Sequence, residues 1–123
     1  MDEPEELLRR LSMHDERALT RVLGAYAQGA VLGLDAKGSA LARLAATIAL
    51  RGELPSYLSN VDAAIDGGAE FDEIIGVLFA VAPAVGVARV VSAAPKLASA
   101  MGFDVDRAIE YLTTNGTDAT GSR

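Results

Sequence analysis

Few residues in this chain can carry chemistry, and their scarcity decides more than their placement. Cysteine is absent, so no thiolate nucleophile, redox dithiol, disulfide or Cys-ligated metal can be built from it. His14 is the single histidine. Set between Met13 and Asp15, it is expected at a surface turn between two helices rather than in a proton relay. Glu70, Asp72 and Glu73 are dense enough to ligate a cation, but they open an apolar run. That position suits the first turn of a helix, where carboxylates meet the positive end of the helix dipole. Arg89 interrupts an apolar stretch and needs a partner if buried, either a salt bridge, a subunit contact or an acidic ligand that it anchors. Lys37-Gly38-Ser39 lacks the other glycines and the preceding strand of a phosphate loop. No metal and no cofactor are expected.

The elements that must position these residues read as helices. Leu7, Leu8 and Leu11 share one face of a first helix starting at Pro4, where a proline leaves no hydrogen bond unmade. Ser12 and Asp15 have capping-box spacing and should open a second helix bearing Leu19, Val22, Leu23 and Tyr26, fading near Gly29. Asp35 caps a third, whose stripe is Leu41, Leu44, Ala45, Ile48 and Ala49; Arg51-Gly52 closes it. Pro55 opens a fourth with Leu58, Val61, Ala64 and Ile65 inside, stopped by Gly67-Gly68. The fifth buries Phe71, Ile74, Ile75, Leu78, Phe79 and Ala82 and ends near Pro83. A sixth, from Gly86, presents Val87, Val90, Val91, Ala94, Ala98 and Met101, with Pro95 expected to kink it. Asp104 caps a short last helix, Val105 to Leu112, and the polar run from Thr113 to Arg123 reads as a disordered tail.

The expected architecture is therefore all-α, with six or seven helices in a single domain over residues 1–112 and a tail over 113–123. The 123-residue length fits one domain. Half the residues are apolar, which supplies a core. A net charge of −6 argues against nucleic-acid partners, which need clustered Lys and Arg. The uncharged run Ile74 to Ala88 is shorter than the roughly 20 residues of a membrane span and is broken by Pro83 and Gly86, so it reads as a buried helix. The acidic opening Met1 to Glu6, with no apolar segment after it, points to the cytoplasm.

Several blocks then fall in a familiar order: Leu34-Asp35-Ala36-Lys37, the small-residue helix Ala40 to Ala46, Arg51-Gly52, and Ala63 to Ile74 with Gly68-Ala69-Glu70 and Glu73-Ile74 at its centre. Over about residues 20–101 the chain resembles the carboxymuconolactone decarboxylase and alkylhydroperoxidase D-like family. The resemblance implies an all-helical fold that assembles as trimers or hexamers.

It also implies where catalytic groups would sit. The hydroperoxidase branch has a C-x-x-C pair one turn ahead of a His, with a Glu upstream. Those positions here are Glu53 and Ser56, Asn60, and Ala40. The decarboxylase branch keeps the His that Asn60 replaces. A hydroxyl without an adjacent base does not replace a thiolate, and an amide does not exchange protons near neutral pH. Thiol peroxidase activity is therefore not expected.

The family-equivalent pocket would be lined by Glu53, Ser56, Tyr57 and Asn60. Glu53 would serve there as a base or ligand anchor with Ser56 and Asn60 supplying hydrogen bonds, or merely as a helix-start acid with Ser56 a first-turn polar residue and Asn60 facing solvent. Two functions follow. One is a scaffold that has lost its catalytic residues and binds a small molecule or protein as a homo-oligomer. The other is a decarboxylase, lyase or isomerase of altered chemistry acting on a small organic acid, which requires Glu53 to be buried.

Overall fold

A computed structural model describes residues 3–25 and 30–103. Seven helices occupy them: α1 (Glu3–Ser12), α2 (Glu16–Ala25), α3 (Ala36–Ala49), α4 (Leu54–Asp66), α5 (Phe71–Ala80), the single turn α6 (Ala82–Val85) and α7 (Val87–Ala100). Among the described residues there is no strand, only an isolated bridge between Val31 and Leu34 ahead of α3. The protein is thus all-α in its described part. The expected helix Val105–Leu112, the tail from Thr113, and Tyr26 to Gly29 lie outside the described residues.

The core is built by four helices. Ala40, Leu44 and Ile48 of α3 pack with Tyr57, Val61 and Ala64 of α4, Ile74 and Leu78 of α5, and Ala93 and Leu97 of α7. Leu7 of α1 and Ala18 of α2 are buried apart from that cluster. Asp35 caps α3 as its position predicts: its Oδ1 accepts from the Gly38 N–H at 2.7 Å, satisfying one of the amides a helix start leaves unpaired.

The junction between α4 and α5 explains its glycines. A Cβ on Gly67 would lie 2.7 Å from the backbone nitrogen of Lys37, so only glycine lets the end of α4 approach the start of α3. Gly68 then takes φ +99°, a left-handed conformation that side chains disfavour. Across this junction Lys37 Nζ meets Glu73 Oε2 at 2.9 Å, while Glu73 Oε1 accepts the Glu70 N–H at 3.0 Å. Of the acids read as a helix first turn, Glu73 is therefore engaged there.

Several expected details are corrected. Ser12 does not open α2; it is the last residue of α1, and its hydroxyl donates to the Leu8 carbonyl. Asp15 is the group that accepts an amide, from Arg17. α3 ends at Ala49, just before Arg51-Gly52, and Arg51 takes the left-handed conformation, at φ 58°. On α1 only Leu7 is buried, and Leu8 and Leu11 are exposed. On α2 the buried residue is Ala18, with Leu19 and Leu23 exposed. On α4, Tyr57 replaces Leu58 and Ile65 in the core.

The run Ile74 to Ala88 is not one buried helix. It breaks at Val81 and again at Gly86, and Phe79 and Val87 are exposed. On α7 the buried residues are Ala93 and Leu97, while Val87 and Val91 face out. The helix continues through Pro95. One reason covers α4, α5 and α7: their apolar arcs are wider than the strip that four neighbouring helices can cover, so periodicity finds the arc but not its covered edge.

Candidate functional site

A cleft of about 370 Å³ opens where the end of α3 meets α4 and α7. Ile48, Tyr57 and Ala93, all core residues, form its floor. Arg51, Arg89 and Lys96 line it with one acid, Glu53. The spacing Arg89, Ser92, Ala93, Lys96 places one face of α7 along the cleft.

Two of the cations have a structural task. Arg89 Nη1 donates to the Ala49 carbonyl, and Lys96 Nζ donates to the Gly52 carbonyl at 3.2 Å. Those carbonyls lie at and just beyond the C-terminus of α3, where a helix leaves acceptors unpaired and carries partial negative charge. The partner that Arg89 requires is therefore a backbone carbonyl rather than a carboxylate. Lys96 reaches Glu53 Oε2 only at 4.0 Å. Arg51 and Arg89 form no ion pair among the described residues. Most of the other described cations are paired: Arg9 and Arg10 with Glu6, Arg17 with Asp15, Arg21 with Glu3 and Lys37 with Glu73.

Tyr57 is 1% exposed, and burial pushes its phenol above the usual tyrosine range. It lines the cleft yet makes no hydrogen bond to another described residue.

The residues singled out from the sequence separate into two groups. Glu53, Tyr57 and Arg89 come together in the cleft. Ser56 is exposed and does not line it. Asn60 turns the other way: its Nδ2 donates to Thr47 Oγ1 at 2.8 Å, and Thr47 in turn donates to the Arg43 carbonyl at 2.9 Å. It ties α4 to α3. Glu53, at the N-cap of α4 without a capping bond, has a side chain 84% exposed. A desolvated general base is therefore not formed within one chain. Ala40, which the resemblance would align with an upstream Glu, is fully buried in the core.

Sequence reading missed Arg51 and Lys96 as members of this cleft. Their spacing from Arg89 carries no local signal, because α3 and α7 are brought together only by packing. His14 lies in the exposed turn after α1. No group of three or more His, Asp or Glu side chains able to hold a metal occurs among the described residues. No helix there is long and apolar enough to cross a membrane.

No family model matches the chain, and no curated protein or solved structure shows significant similarity to it.

Proposed function

We propose that the protein is a cytoplasmic helical scaffold of the carboxymuconolactone decarboxylase-like type. It works as a trimer or hexamer that binds a small molecule or protein, without thiol or imidazole catalysis. One observation carries this reading: large apolar residues of α5 and α7 stand exposed. Phe79, Val87 and Val91 are 67%, 72% and 65% exposed, and a groove of about 150 Å³ between the two helices is walled by Ile75, Ala94, Ala98 and Phe103, among others. Large apolar side chains left exposed beside an apolar groove suit association.

Two further facts support it. The blocks that carry the family resemblance meet in space, with Gly67 against Lys37 and Lys37 paired to Glu73. They are the residues that join helices, so a scaffold can keep them after its chemistry is gone. The positions that held the chemistry now do other work, since Asn60 bonds to Thr47 and Ala40 fills the core.

Analytical ultracentrifugation tests the proposal. A trimer or hexamer is expected, dissociating in Val91→Glu while helicity by circular dichroism is kept. A wild-type monomer across the micromolar range overturns it, and so does turnover of peroxide by the purified chain.

A further inference from the structure

We infer that the cleft between α3, α4 and α7 is a binding site for a small dianion, a phosphate monoester or a dicarboxylate, held by Arg51, Arg89 and Lys96 with the Tyr57 hydroxyl as an uncharged donor. The inference rests on reading the cleft as the small-molecule site of the scaffold, and it names the ligand's chemistry.

Charge is the first argument. The chain carries −6 overall, yet this cleft gathers three cations against one carboxylate. Two of those cations have no acidic partner among the described residues, and the third meets Glu53 only at 4.0 Å. Such a set is short of negative charge, which a dianion would supply. Capping α3 does not exhaust the donors: Arg89 and Lys96 each give one N–H to a carbonyl, while a guanidinium has five and an ammonium three.

Tyr57 is the second argument, and it is independent of charge. Its ring is sealed in the core, yet the residue lines the cleft, and its hydroxyl is bonded to no other described residue. A phenol O–H is an uncharged donor that an anionic oxygen can accept from. Size is the third. A volume of about 370 Å³ lies at the lower end of small-molecule sites, enough for a compact acid. Glu53 opposes such a ligand and stands 84% in solvent, so it weakens binding.

Isothermal titration at low ionic strength tests this with two probes, phenyl phosphate and succinate, against the full chain. Saturable binding of at least one is expected, and the tighter probe identifies the source of the dianion. Arg51→Asn keeps a residue that tolerates the left-handed backbone, and should weaken binding about tenfold, as should Lys96→Gln. Tyr57→Phe should weaken it about fivefold with helicity unchanged. Glu53→Gln should strengthen it. No saturable heat with either probe overturns the inference, as does Glu53→Gln weakening binding or Tyr57→Phe leaving it unchanged. Sedimentation in ligand-free buffer reads the scaffold proposal separately.

Discussion

Tyr57 has two demands on it that a single side chain rarely meets at once. Its ring is among the largest fully buried groups of the core, while its hydroxyl belongs to the cleft wall. Removing the ring should therefore be far worse than removing the oxygen. Tyr57→Ala is expected to cost about 3–5 kcal/mol by urea denaturation, as for other buried aromatics, whereas Tyr57→Phe should stay within about 1 kcal/mol of wild type. Ser39 is the opposite case. Its buried Oγ has no hydrogen-bond partner, so Ser39→Ala removes an unpaid desolvation cost and should raise the melting temperature. Asn60 illustrates how little a residue's type says without its neighbours. It stood as a pocket residue by resemblance and as a solvent-facing one by helical position, yet it donates to Thr47, thirteen residues earlier. That partner lies on another helix, so no local spacing announces it.

At the scale of elements, the legible features are those that depend on a few consecutive residues. Asp35 at the start of α3, Pro55 in the first turn of α4 and Gly67-Gly68 at its end do what their chemistry requires. Gly67→Ala is expected to destabilise strongly, because the atoms in its way belong to the Lys37 backbone and cannot swing aside. A thermal melt reads this, and Gly76→Ala, where an added Cβ meets nothing within 4 Å, is the control that should be tolerated or stabilising. Less legible was the rotation of each helix about its axis. The buried strip of α7 lies between its cationic face and its exposed valine face: of the expected stripe Met101 is buried and Val90 and Ala94 pack against the core, but Val87 and Val91 face out. Leu97 and Ala93, missing from the expected stripe, are buried instead.

For the molecule as a whole, pH should act through the carboxylates that fold into partnerships. The Glu70 amide, with Lys37 next, holds the Glu73 carboxyl below its ordinary range. The Arg9 guanidinium, then Arg10, brings Glu6 from 4.5 to about 2. A folded-state value that is depressed contributes stability at pH above the unfolded value and loses it as pH falls through the folded one. Stability should thus decline progressively from about pH 4.5 towards about pH 2, and Glu73→Gln should shallow that slope in melts across the range. Salt should weaken the Glu6 part, which is solvent-exposed. Tyr57 works with the opposite sign. Its value is raised by burial, so its contribution is complete below the ordinary tyrosine range and is lost as pH climbs beyond it. Alkaline unfolding followed by tyrosinate absorbance should show this titration arriving late and together with the loss of helicity.

The order of helices, their caps and stops, and the absence of any thiol are written in the chain itself, because each depends on residue type and on neighbours within one or two turns. Which side of each helix became core, and that Arg51, Arg89 and Lys96 share a cleft, were settled by packing. Arg51 lies in the turn after α3 and the other two on α7, far along the chain, and only the burial of Leu44, Ile48, Val61 and Leu97 against one another brings their charges to one place.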